Sequence, residues 1–154
     1  MPLLETGKRR KMNIQKILEN PRFRLETMEP APTTVVSDFL EQAPDNLPVK
    51  YMHFMQASDG ARGAVPYDSG YIEIWRLEET LDKQTGYGDD ASLAGFFAFG
   101  TDGSGRDYLF DLRNEDGAAV YSVAHDEPDA EHLEPIAGSF SQFLEHITLM
   151  GAGA

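Results

Sequence analysis

Few residues in this chain are of a type and spacing that could do chemistry. Gly100 to Gly105 (Gly-Thr-Asp-Gly-Ser-Gly) is a glycine-rich loop. Such a loop cradles phosphate when a strand runs through it straight into a helix N-terminus. Here strand pattern stands on both sides and no Lys-Ser/Thr pair follows, so the segment reads as a hairpin loop. Asp102, Ser104 and Asp107 have the opening spacing of a calcium loop, but Arg113 stands where the bidentate Glu belongs. His53, His125, His132 and His146 form no His-Glu-x-x-His pair, and the chain has no cysteine beside them. His125 and His132 flank an acidic stretch, where Asp126 or Glu131 could complete a metal site, but the pattern reads as solvated loop. His53 and His146 read as surface or boundary residues of helices. There is no Gly-x-Ser-x-Gly elbow, and scattered Ser, His and Asp do not make a triad. The carboxylate pairs Glu78-Glu79 and Asp89-Asp90 are sequence neighbours that need not face each other, and they read as solvated. The sequence therefore points away from an enzyme and calls for no metal and no cofactor.

What remains is surface charge. The formal net charge is −13 over 154 residues, and it is unevenly placed. Residues 1–24 carry seven Lys/Arg against two Asp/Glu, and residues 25–154 carry six against 24. The acidic body should repel nucleic acid and anionic lipid and attract a basic partner, with an association rate that falls as salt rises. The bland reading of the same charge is solubility. The basic cluster Lys8 to Lys11 reads as a frayed terminus. The polar run Met12 to Lys16 after it is not the apolar core of a signal peptide, and no apolar run approaches 18 residues. The default expectation is a cytoplasmic protein, which the absence of cysteine suits.

These groups must be positioned by one small domain. Ile14, Ile17 and Leu18 predict a short helix capped by Asn13 and ended at Asn20-Pro21. Met28 to Pro32 reads as an extended linker. Thr33 or Thr34 is expected to cap a helix carrying Val35, Val36, Phe39 and Leu40, stopped at Pro44-Asp45-Asn46. Leu47-Pro48 opens a third helix with Tyr51, Phe54, Met55 and Ser58 on one face and Met52 beside it, closed by Asp59-Gly60. Alternation begins at Tyr71 to Arg76 and predicts a half-buried strand. It sets Trp75 opposite Ile72 and Ile74, so the strand aromatics read as core, with a partner groove as the alternative. Leu77 to Leu81 reads as a helical turn, and Gln84 to Leu93 as a polar loop. Strands follow at Phe96–Phe99, Asp107–Arg113 and Ala119–Ala124, with a turn at Asn114 to Gly117. His125 to Pro135 reads as an acidic loop. Ser139 caps a last helix with Phe140, Phe143, Leu144 and Ile147. Short turns between strands predict an antiparallel meander, and the segregated order of helices and strands predicts an α+β fold.

The order of these signals resembles the SUKH superfamily, the Smi/Knr-type domain. The resemblance rests on Leu47-Pro48, Tyr51, Phe54-Met55 and Asp59-Gly60, then Phe96 to Gly100, Gly103, Tyr108, Asp111, Val120-Tyr121, Ser139-Phe140 and Phe143-Leu144. It covers roughly residues 34–147. Asp59 stands where the family often has Asn, and Ala61 where a second Gly is common. The resemblance implies an α+β fold whose curved sheet, antiparallel or mixed, is flanked by helices. It implies that many bacterial members are immunity proteins, which bind and neutralise a cognate toxin, often a nuclease, and that others are adaptors or regulators. It carries no catalytic residues.

The expectation is therefore a basic N-terminal extension (1–30), a SUKH-like domain (31–149) and a tail (150–154). The function expected is protein binding, with a basic toxin domain as partner and no nucleic acid or membrane. The contacts are expected from the sheet edge and acidic loops, at Asp89, Asp90, Asp102, Asp107, Asp126, Glu127, Asp129 and Glu131. The alternatives are a regulatory or scaffold domain of the same fold, and a small-ligand binder or enzyme using the Gly100–Asp107 loop.

Overall fold

The computed structural model describes residues 25–64, 71–84, 93, 95–113, 118–126 and 130–145. The helix expected at Asn13 to Leu18, the basic cluster and the Asn114 to Gly117 turn lie outside the described residues. In chain order the elements are β1 (Glu26–Thr27), α1 (Thr33–Gln42), α2 (Val49–Ala57), β2 (Ala61–Ala64), β3 (Tyr71–Ile74), α3 (Leu77–Lys83), β4 (Phe96–Thr101), β5 (Arg106–Asp111), β6 (Ala119–Ala124), β7 (Glu134–Ala137) and α4 (Phe140–Glu145). A 3-10 turn, Ala130–His132, precedes β7. The strands form one open sheet in sequence order, every pair antiparallel, which settles the mixed alternative against itself.

The fold is α+β, as expected, with three strands the sequence did not announce. β1 is two residues long and lies just before the segment read as linker. β2 has the sequence Ala-Arg-Gly-Ala, without a β-branched or aromatic residue. β7 occupies the end of the acidic loop, and its Pro135 argues against any but an edge strand. β1 and β7 are the two edges. The expected threonine cap of α1 is also corrected: Pro32 holds the N-cap position with no side-chain cap. Its carbonyl accepts the Val35 and Val36 amides at 3.0 and 3.1 Å, so the helix starts one residue earlier than a threonine cap would set it. Ser139 does cap α4, its hydroxyl accepting the Gln142 amide at 3.1 Å.

Alternation along the strands sorts the side chains into two cores. On the inner face Ile72, Ile74, Phe97, Phe99, Tyr108, Phe110 and Val120 meet Phe39 of α1, Tyr51, Phe54 and Met55 of α2, and Phe140, Phe143 and Leu144 of α4. The centre is aromatic: Phe99 and Phe110 stack with centroids 4.2 Å apart, and Tyr51 and Phe140 meet them edge-on. Such pairs add about 0.5–1.5 kcal/mol each beyond the area they bury. The Tyr51 hydroxyl is fully buried within this cluster and has no hydrogen-bond partner among the described residues. Burial pushes its phenol well above the usual range; the nearby Thr80 hydroxyl opposes this in part and the Asp59 carboxylate adds to it.

On the outer face Trp75, Ala98, Leu109 and Val123 form a smaller core with Leu93, flanked by Phe96 and Leu133. The core reading of Trp75 therefore holds, but on the face away from the helices α1, α2 and α4.

Two local devices set where β3 ends and α3 begins. Gly60 follows α2 at φ +93°, and a Cβ there would lie 2.6 Å from the Ile74 carbonyl oxygen. This close approach fixes the buried Asp59 carboxylate next to the start of α3. One Asp59 oxygen accepts the Leu77 amide at 2.9 Å and the other the Arg76 Nε–H at 3.2 Å. Asp59 is therefore the cap of a helix that begins 18 residues later. Beyond Trp75 the chain leaves β4, and the Gln84 side chain takes its place in the ladder. Its Oε1 accepts the Ala98 amide at 2.9 Å, and its Nε2–H donates to the Ala98 carbonyl at 2.7 Å.

Candidate functional site

The divergence of α3 from the sheet leaves an open hollow of about 310 Å³ on the outer face. Its lining includes Glu73 and Trp75 at the end of β3, Glu79 and Lys83 on α3, Thr101, Gly103 and Gly105 of the β4–β5 hairpin, and Asp107 with His125. A second hollow of about 220 Å³ adjoins it, sharing Glu73 and Glu79 and reaching Asp59, Arg62 and Arg76.

The register explains the grouping. Arg62, Glu73, Thr101, Asp107 and Val123 are successive cross-strand partners from β2 to β6, one row across the sheet. Side chains on such a row share a face. Glu79 and Lys83 are one helical turn apart, so α3 presents both on one side. The Lys83 ammonium sits over the Trp75 ring, 5.3 Å from its centroid, as a cation–π contact.

The hairpin wall is built by Asp102. Its Oδ1 accepts the Ser104 and Arg106 amides at 2.8 and 3.1 Å, while Gly103 and Gly105 take positive φ. Gly103 also packs on Tyr71, where a Cβ would meet the ring at 2.6 Å. The loop's own carboxylate thus takes amides that a phosphate cradle would offer to a ligand. This supports the hairpin reading of Gly100 to Gly105.

Asp107 is buried at the floor, and its Oδ2 lies 2.7 Å from Nδ1 of the exposed His125. A carboxylate only accepts, so Nδ1 carries the proton, and in the neutral ring Nε2 remains an acceptor. Thr101 is committed to the hairpin, its hydroxyl donating to the Arg106 carbonyl at 2.8 Å and accepting the Gly103 amide at 3.2 Å. The side-chain groups the hollow offers to solvent are therefore acceptors, Glu73, Glu79 and His125, with Lys83 as the cation among them.

At the far end of the same face Arg113 chelates Asp111, with Nε and a terminal nitrogen each 2.9 Å from a carboxylate oxygen, and its guanidinium covers the Phe96 ring. The Arg113 hydrogen bond holds the Asp111 carboxyl below the usual carboxylate range, against the opposing effect of desolvation.

Of the acidic residues expected at an interface, Asp89, Asp90, Glu127 and Asp129 lie outside the described residues. Asp126 and Glu131 are exposed, in the turn after β6 and in the 3-10 turn. Asp102 and Asp107 are buried and shape the hairpin wall and the floor. His125, read as a solvated loop residue, is instead anchored on Asp107. Among the described residues no three His, Asp or Glu side chains converge as metal ligands. Sequence reasoning passed over Glu73, although its alternation with Ile72 and Ile74 already puts it on the Trp75 face. It read Glu79 as merely solvated, because nothing in the sequence shows α3 folding back over Trp75.

No helix among the described residues is long and apolar enough to cross a membrane. No curated protein matches the chain. The model of the SMI1 / KNR4 family (SUKH-1) matches residues 33–146, which contain α1 to α4 and the sheet from β2 to β7. With its helix-backed antiparallel sheet and that match over most of its length, the chain belongs to the SMI1 / KNR4 family, SUKH-1.

Proposed function

We propose that this chain is a protein-binding module that neutralises a basic toxin domain by direct docking, as an immunity protein does. The observation that carries the reading is the outer face of the sheet, where a concave surface offers carboxylates and a histidine acceptor around an aromatic ring. Family membership supports a protein as the partner. The net charge of −13 supports a basic one, since opposite fields raise the encounter rate and set orientation. A nuclease toxin carries a positive surface for its own substrate, so one acidic inhibitor can both capture it and compete with nucleic acid. Asp126 and Glu131, exposed beside this face, extend the same field. Chemistry is not required of the chain: the buried Asp107 orients His125, but the Thr101 hydroxyl in the same lining is committed to the hairpin, donating to the Arg106 carbonyl.

The test begins with capture of partners from the source organism at low and at moderate salt. Each captured gene is then expressed in a heterologous host with and without this chain. A basic domain that arrests growth alone and is silenced by this chain supports the reading. Capture of basic domains without toxicity, or of housekeeping proteins only, would replace it with a regulatory or scaffold role.

A further inference from the structure

The hollow under α3 has the composition of a receptor for a single cationic side chain, and it already holds one of the protein's own. Lys83 lies over Trp75 at 5.3 Å, within the hollow that Glu73, Glu79 and His125 line with acceptors. Lys83 is exposed, forms no salt bridge among the described residues, and sits at the end of α3 on a flexible stem. Its hold is thus one exposed cation–π contact. A guanidinium suits the same place better. It stacks flat on an aromatic ring and directs five donors outward in a plane, and here the Glu73 and Glu79 carboxylates only accept.

We propose that the hollow receives an arginine side chain of the protein partner, which stacks on Trp75, bonds Glu73 and Glu79, and displaces Lys83. This rests on the protein-binding reading above and gives it a chemical address. Lys83 is then a placeholder. It keeps the indole face covered and the three carboxylates Glu73, Glu79 and Asp107 partly balanced until the partner arrives. His125, oriented by Asp107, supplies a further acceptor at the rim. Gly103 and Gly105 of the hairpin add no side chains to the lining.

Trp75 is the chain's single tryptophan, so the site carries its own reporter. The experiment titrates the full chain with L-argininamide, following indole fluorescence and the Trp75 indole N–H resonance, with L-citrullinamide, whose urea side chain is the uncharged isostere of the guanidinium, as the control. The expected result is a saturable change with argininamide and none with citrullinamide. K83A, on an exposed helical position, should lower the argininamide midpoint about threefold by removing the competing cation. The E73Q/E79Q double variant keeps a side-chain oxygen at residue 79 for the Arg76 backbone amide, which Glu79 Oε1 accepts at 3.4 Å, and should raise the midpoint about tenfold. A Trp75 signal that does not saturate, that citrullinamide reproduces, or whose midpoint K83A leaves unchanged would overturn the proposal. The outcome is separable from that of the partner capture. A toxin neutralised equally by native and E73Q/E79Q chains would retain the function and remove the hollow from it. Saturable argininamide binding without any toxin partner would retain the receptor and remove the toxin.

Discussion

Replacing Asp59 by alanine should destabilise the domain far more than removing its ion-pair partner. Asp59 is buried after α2 and caps α3, accepting the amide of the fully buried Leu77 at 2.9 Å. Loss of a helix cap costs about 1 kcal/mol. A buried amide left without an acceptor costs roughly 1–3 kcal/mol, a range that overlaps the capping cost and does not simply add to it. Arg76, by contrast, has its side chain 60% exposed, and the worth of such a pair is about 0–1 kcal/mol. D59A is therefore expected to cost about 2–3 kcal/mol and R76A under about 1 kcal/mol. D59N keeps an oxygen for Leu77 but turns an N–H toward Arg76, and should fall between them. Urea unfolding with a constant m-value gives the three differences, and hydrogen exchange at the Leu77 amide localises them. If R76A costs as much as D59A, or D59A costs less than about half a kcal/mol, the cap is not what holds α3 and the argument fails.

Three further outcomes follow from groups already described. Y51F removes a buried hydroxyl with no partner among the described residues and should raise stability by about 1 kcal/mol in the same assay; a loss would mean that the hydroxyl has a bond, with the nearby Thr80 hydroxyl as the candidate. Q84A should cost about 1–2 kcal/mol and speed hydrogen exchange at Ala98, because both ladder bonds of that residue on the β3 side go with the side chain. Unchanged exchange at Ala98 would show that water or backbone replaces it. Asp111 gives a pH dependence: its folded carboxyl releases its proton more readily than the unfolded one. Its stabilisation is therefore complete above the unfolded value, about pH 4, and is lost as pH falls through the lower folded value. D111N should flatten the fall in stability over that acid range, and an equally steep fall in the variant would assign the acid loss to other carboxylates.

The elements legible in the sequence are those with a long enough period. α2, with Tyr51, Phe54 and Met55 on one face, and the alternating strands β3 to β6 declare themselves because burial on one side is written into every second or third residue. β1, β2 and β7 do not, because two to four residues with a single β-branched side chain at most, Thr27 in β1 and Ile136 in β7, make no alternation; they are strands only because a neighbour offers a ladder. The site divides in the same way. Glu73 and Trp75 can be placed on one face by counting. Lys83 over Trp75, Asp59 on Leu77 and Gln84 on Ala98 cannot, because each depends on how α3 folds back on the sheet. Asp102 and Asp107 illustrate the converse. Their charge was legible, but their burial was not, since it follows from the hairpin closing around one and His125 covering the other.

The two edges of the sheet constrain how this domain can meet other chains. An open sheet invites a foreign strand to continue it through the main chain, the route of many peptide-binding domains and of amyloid. β1 offers two residues for such a template, and β7 offers four, one of them a proline without an amide and another the exposed Glu134. Backbone-to-backbone extension is blunted on both sides among the described residues. Under the proposed function, recognition then falls to the broad face rather than the hydrogen-bonding rim, and identity is read by side chains. A domain built this way can change partners by exchanging a few surface residues while its ladder stays the same.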